Sequence, residues 1–359
     1  MFRFLKCILI FMLCLFGQFL LAETSTIGDK IQKNFDENLY KLKPIYQSHY
    51  AVRLYRITGK KEYFYPIISF QFIESLQLKF LLKKTHITPI EKFNSRLIHL
   101  PQNYDQIVKN IKRELLLAQF PGINNALQIL LILDHAQQLN LLKSPLYPHA
   151  DKAIDYISKN IKPLSTFLLD PTVIKTSSAQ VVNFIYLLNR LQIIDLRQEY
   201  IKHFKIIFSD KEDKLLHDRD FEDKIYGMTH IIFAASDYYQ KQLPYEEFKW
   251  IYLYFDKNVN RILKKTKPDV IAEVGLNFCL LNKAKHSAAL NKIRNFLKKQ
   301  FDPAQQMLPG EPGLDDLNRA EHRNVLTIML FKWPSLLHSG PNLENIEDLL
   351  NTLEPIQPL

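Results

Sequence analysis

A hydrogen-bonding residue followed by an apolar run recurs at a fixed interval: Asn183, His230, Asn277 and Asn324 stand 47 positions apart, each in the same part of an apolar, helix-like segment. Between these segments lie stretches with one apolar and one polar face. A unit of one helix covered on all sides and one amphipathic helix cannot bury its apolar surface alone, so it must stack on its neighbours. Two closures satisfy that demand. One is an open α-solenoid with polar capping repeats. The other is a ring of hairpins, the α/α toroid, whose inner helices are covered all round. Inner helices read as starting near Ile45, Ile123, Ser177, Ile225, Asp269 and Arg319. The chain is therefore expected to be all-α, an α/α toroid of about five to six helix hairpins, with the open α-solenoid as the alternative.

Composition agrees with helices. Only nine glycines occur in 359 residues, too few for the tight turns of a strand-rich fold, while 47% hydrophobic residues suffice for a large core. No linker rich in Gly, Ser or Pro interrupts the chain, so residues 23–359 read as one helical domain.

The first residues place Arg3 and Lys6 ahead of an apolar run from Cys7 to Ala22, the form of a secretory signal peptide over 1–22. An uncleaved segment would be the chain's one link to a membrane. Cleavage after Ala22 would leave Cys279 as the sole cysteine, a small buried hydrophobe among apolar neighbours, so stability must come from core burial. The expected location is exported, periplasmic or secreted. The formal net charge of +10 is spread over lysine pairs such as 264–265 and 298–299 at expected helix ends, where cations suit the helix dipole. Such ends, in an exported chain, do not point to nucleic acid.

Along the chain, helices are expected within 37–58, 62–84, 104–119, from Ile123, over 148–160, 195–208, 245–264 and 288–300, with a short one at 343–353. Gly59 reads as a C-terminal cap. The stretch from His217 to Lys224 reads as an acidic loop, and Met307 to Asp316 as a loop shaped by Pro and Gly into a lid or a turn. The turn from Arg56 to Phe64 resembles the helix-to-helix turn common in α/α-toroid proteins. On Ile225–Ser236 and Asp269–Leu281 the chain resembles, over most of its length after the leader, the family of exported bacterial proteins called domain of unknown function 3541. That resemblance implies no activity. The architecture is similar to that of toroid glycoside hydrolases, polysaccharide lyases, cyclases and prenyltransferases, none of whose catalytic motifs is present.

Polar groups on the inner helices are the candidate site: His49, Arg53, Asn125, Gln128, Asn183, Tyr226, Thr229, His230, Asp269, Glu273, Asn277, Glu321, His322 and Asn324. Asp269, Glu273 and Asn277 are four apart and share a helical face. His230 and Glu273, with Glu321, are expected to form an acid/base set, because partial withdrawal from water moves such groups toward neutral pKa. Tyr226, Thr229, Asn277, His322, Asn324 and Asn183 would bind. The plainer reading makes Asn183, His230, Asn277 and Asn324 structural, bonding to one another or to loop backbones. His230, His322 and Glu273 could converge on a metal, yet no HExxH or Cys/His ligand spacing occurs, so neither a metal nor a cofactor is expected. The expected partner is a glycan or cell-envelope polymer; the competing expectation is a non-catalytic binding or scaffold protein.

Overall fold

The computed structural model describes residues 26–84, 120, 122–284, 287–310 and 316–345. The leader 1–22, the helix expected over 104–119, part of the 307–316 loop and most of the 343–353 helix lie outside the described residues. Among the described residues, thirteen α-helices occur and no strand, apart from one bridge between Asp302 and Met307. The protein is all-α.

In order they are α1 Ile27–Glu37, α2 Pro44–Thr58, α3 Phe64–Lys84, α4 Ile123–Gln138, α5 Ala150–Lys159, α6 Ile161–Leu168 and α7 Pro171–Arg190. They continue as α8 Arg197–Ile207, α9 Asp218–Ala235, α10 Tyr245–Lys265, α11 Pro268–Leu280, α12 Ala288–Gln300 and α13 Leu317–Phe331. Their starts are written locally. Proline opens α2, α7 and α11, where its missing N–H costs no helical bond. Asp170, Ser287 and Asp316 cap α7, α12 and α13, and Thr26 with Asp29 forms a capping box on α1.

The helix ends share a device. Asn140, Gln192, Asp237 and Asn282 have φ of 57°, 57°, 52° and 58°, each just past the end of α4, α7, α9 or α11. In all four the left-handed residue donates to the carbonyl three back, and the next residue to the carbonyl five back: Leu141 to Ala136, Ile193 to Leu188, Tyr238 to Phe233 and Lys283 to Phe278. This is the Schellman arrangement, built without glycine. Only α2 ends on the expected Gly59, at φ 69°.

Four boundaries depart from the sequence reading. Residues 37–58 are not one helix: α1 ends at Glu37, a single 3-10 turn follows, and Pro44 restarts the chain as α2. The acidic stretch from His217 is not a loop but the opening of α9, where Asp218 and Asp220 suit the positive helix terminus. Helix α7 starts at Pro171, and Ser177, expected as its first residue, is instead a kink at φ −147°. Helix α6 is a short helix the periodicity did not separate from its neighbours.

Helices pack in the order α2, α3, α4, α7, α9, α11 and α13, and α13 returns to pack on α2. In α11, every residue from Val270 to Leu280 is buried. Helix α9 approaches both α7 and α8 so closely that a Cβ on Gly227 would stand 2.6 Å from the Ser178 hydroxyl of α7 and 2.6 Å from Phe204 of α8. Amphipathic α8, α10 and α12 flank this circuit and keep a solvated face.

At the C-terminal ends of the inner helices the chain ties itself together. Arg56, 2% exposed, donates to the carbonyls of Gly340 and Tyr238 at 3.1 and 2.7 Å and to Gln138 Oε1 at 3.1 Å. His338 N donates back to Arg56 O, and Leu343 N to Leu139 O. Arg190 pairs with Asp134 and, at 3.2 Å, with Asp237. Asp237, Tyr238 and Tyr239 are all left-handed, at φ 52°, 55° and 72°. Each such residue costs about 1–2 kcal/mol, and the Arg56 and Arg190 bonds together with Tyr239 N donating to Ser236 Oγ hold them in place.

Candidate functional site

Three glutamates are buried inside the circuit of helices, and each meets a histidine. Glu74 (α3), Glu273 (α11) and Glu321 (α13) are 3%, 1% and 0% exposed. His135 Nδ1 of α4 lies 2.6 Å from Glu74. His49 Nδ1 of α2 lies 2.9 and 2.8 Å from the two oxygens of Glu321. Glu273 Oε1 stands 3.4 Å from His322 Nε2 and 3.8 Å from His230 Nε2, while Thr229 Oγ1 donates to its other oxygen at 2.6 Å.

Two of these couples join. Glu321 and His322 are successive on α13 and so point about 100° apart: one serves His49 of α2, the other Glu273 of α11. The His49 and His322 rings lie 5.2 Å apart. His230 Nδ1 then bonds Asn183 Oδ1 of α7 at 3.1 Å. A continuous polar line thus runs over five helices, from Glu321 through His49, His322, Glu273 and His230 to Asn183.

Burial and neighbours set the charges. Burial, reinforced by the Arg53 guanidinium, outweighs Glu321 and brings the His49 pKa down to about 4. Burial would raise the Glu273 carboxyl, but His230 and His322 overcome it and hold it at about 2. Burial opposes charge on His322 and His135 as well; Glu273 and Glu74 respectively outweigh it, and both imidazoles rise above their usual value. At neutral pH, His49 is a neutral ring whose Nδ1–H faces Glu321, leaving Nε2 as an acceptor. His322, biased toward imidazolium, keeps Nδ1–H as a donor. An acceptor and a donor on facing rings are the elements of general base and general acid.

The remaining sequence candidates fall into two groups. Tyr226 packs on His230 with ring centroids 4.6 Å apart, within the site. Asn324 holds the loop before α13: Leu308 N donates to its Oδ1, and its Nδ2 donates to Leu308 O and Ala320 O, each at 2.8 Å. Asn183 with His230, and Asn324 with the loop, therefore make the structural bonds expected of the repeated position. Asn277 does not: it is fully buried, and neither amide atom has a hydrogen-bond partner among the described residues. Asp269 and Asn125 each keep a buried oxygen without a hydrogen-bond partner, and Gln128 is half-buried on α4. Met307 is buried and pairs with Asp302. No group of three or more His, Cys, Asp or Glu among the described residues has the geometry to hold a metal. Cys279 is buried, its thiol pushed up to about 12 by desolvation.

Sequence reasoning passed over Glu74, His135 and Tyr239. The Asp134–His135 pair inside the apolar run of α4 was a visible signal, since a pair of polar groups in such a run needs partners; Glu74 had no comparable mark.

The His49 and Glu273 shifts predict acid sensitivity. A histidine depressed to about 4 binds fewer protons folded than unfolded, so stability falls as pH drops from about 6.5 to 4. Glu273, depressed to about 2, adds a further loss as pH drops below its ordinary value of 4.5. His322 and His135 act oppositely, their contribution being lost only as pH rises through their raised values. Denaturant unfolding at pH 7, 5.5 and 4 should show the first loss in the native chain and a smaller loss in His49→Gln.

The fold and site define an all-α protein whose helices enclose linked histidine–glutamate couples. The chain belongs to the family described as domain of unknown function (DUF3541), whose profile matches residues 24–356. No curated protein and no solved structure matches it.

Proposed function

We propose that this protein is an exported α/α-toroid enzyme that acts on a carbohydrate or cell-envelope polymer by general acid–base catalysis. The facing rings of His49 and His322, each backed by a buried glutamate, carry the reading. Ionised groups buried this deeply cost several kcal/mol, and the repeat stack itself does not call for two of them side by side. In this reading His49 takes a proton and His322 gives one, while Glu321 and Glu273 orient the imidazoles. That differs in emphasis from a glycosidase in which two carboxylates face the sugar directly, because both glutamates lie behind histidines. Return of α13 onto α2 supports the toroid over the open solenoid, whose terminal helices would stay apart. The charged, apolar leader supports export.

The test is turnover of purified envelope glycans and peptidoglycan by the full chain, by His49→Gln and by His322→Gln. Each substitution is expected to lower turnover at least about a hundredfold, the usual weight of one acid or base, with the fold retained by circular dichroism. Turnover unchanged in both variants would end the proposal. A second reading, a non-catalytic binding or scaffold protein, draws on the His230–Asn183 and Asn324–Leu308 bonds; it predicts glycan binding with no product from any of the three chains.

A further inference from the structure

We infer that Arg53 is an anion-recognition residue, and that the polymer taken by this site carries a carboxylate on the sugar held beside His49. The substrate class rests on the acid–base reading above; binding of the carboxylate does not.

Charge accounting inside the helix circuit leads to Arg53. Five acids there are already engaged: Glu321 by His49, Glu273 by His322 and Thr229, Glu74 by His135 and Gln71, and Asp134 and Asp237 by Arg190; Asp269 keeps one buried oxygen without a hydrogen-bond partner. Each other arginine there is engaged too, Arg56 by three acceptors and Arg190 by two carboxylates. Arg53 differs. Its Nη1 donates at 3.1 Å to the carbonyl of His49 in its own helix, and its guanidinium sits 5.9 Å from the centre of the Tyr239 ring. Its Nε is buried without a hydrogen-bond partner, and among the described residues no carboxylate lies within ion-pair distance.

A guanidinium carries five donors; in Arg53 one serves the His49 carbonyl, another meets the Tyr239 hydroxyl, and Nε is left without a partner. Withdrawing such a cation from water without an anion is costly, and the planar fork matches two oxygens of one carboxylate. The position is one turn from His49 on α2, and its charge opposes protonation of His49, His322 and His135 alike, although only His49 ends below its usual value. An anion bound at Arg53 would therefore lie against the proposed base. A single unpaired guanidinium suits a monoanion better than a phosphate dianion. Tyr226, partly exposed beside His230, offers a ring for the apolar side of a sugar, while Tyr239 is buried and backs the guanidinium of Arg53. The overall charge of +10 favours approach of an acidic polymer.

The probe is D-glucuronate, titrated into the full chain at pH 7 while histidine ring protons are followed by NMR. D-glucose and D-glucose 6-phosphate are the comparisons. Glucuronate is expected to shift the His49 and His322 signals saturably and to raise the His49 titration midpoint, with glucose weaker by tenfold or more. Arg53→Met should abolish the response and Arg53→Lys retain part of it; thermal unfolding checks that both variants fold. Equal response to glucose, tighter binding of the phosphate, no response to glucuronate, or an undiminished response in folded Arg53→Met would each overturn the inference. Glucuronate binding without polymer turnover would remove only the enzyme reading.

Discussion

Replacing Arg56 with Met is expected to destabilise the protein by about 3–5 kcal/mol, the range for removing one partner of a buried charged network. The side chain is 2% exposed, and burial with the repulsion of Arg53 lowers its pKa to about 9. It remains charged at neutral pH, favoured by Asp134 and Asp237, and three acceptors face it: Gly340 O, Tyr238 O and Gln138 Oε1. Methionine fills part of the volume but leaves all three without a donor. They belong to three different parts of the chain, so the damage spreads. The left-handed Tyr238 loses its anchor, and residues 338–343 lose one tie to the ends of α2 and α4. Chemical denaturation should show a lower midpoint, and hydrogen exchange should quicken first at His338 and Leu343, whose amides bond across this junction. A change under 1 kcal/mol would mean that the junction is held by packing and not by this arginine.

Lys224 to Met should have an effect of the same order. Its Nζ is fully buried, 2.6 Å from both Asp210 and Asp213 and 4.2 Å from the centre of the Tyr254 ring. Asp213 also accepts from Tyr254 at 2.6 Å, and its carbonyl accepts from Arg261 at 2.9 Å. Loss of the ammonium leaves a largely buried Asp213 beside Asp210 with no cation between them, at a cost of about 3–5 kcal/mol. Asp210 is exposed and will rehydrate; Asp213 cannot. The companion Asp213→Asn in the Lys224→Met background should recover part of the loss, and thermal unfolding of the three variants checks it. Additive losses would show that the lysine and Asp213 do not act as a pair.

Much of the architecture was legible in the sequence, and the reasons are particular. Helices α10, α12 and α8 stand within two residues of their expected bounds, because an amphipathic face has a period that can be counted. Glycine scarcity had a cause that the sequence could not display: Asn140, Gln192, Asp237 and Asn282 supply the left-handed ends that glycine usually supplies. The 217–224 stretch misled because a run of charges reads alike as solvated loop and as first helical turn, and only the burial of Lys224 distinguishes them.

The site was half legible. His230, Glu273, Glu321 and His322 stood out as polar groups in apolar helices, and the structure brings all four into one line. What the sequence could not express is pairing between helices. Nothing in the spacing of 49 and 321 says that His49 meets Glu321, or that His322 turns to Glu273. The 47-residue period had placed His230 and Asn183 at equivalent positions, and these do touch, because adjacent repeats put equivalent positions in register. Non-adjacent closure follows no such rule.

The return of α13 onto α2 also sets when the histidine–glutamate line can be completed. The contact between His49 and Glu321 spans 272 positions, so almost the whole chain must be ordered before the two rings can face each other. Contacts of such range are late events in folding, since the loop entropy must be overcome before they contribute. An exported chain would thread outward unfolded with α2 among its first helices and α13 among its last, and it would carry no assembled proton-transfer pair until the final inner helix arrived. Under the proposed export and acid–base function, such a chain would stay chemically silent until it had crossed the membrane, by topology alone.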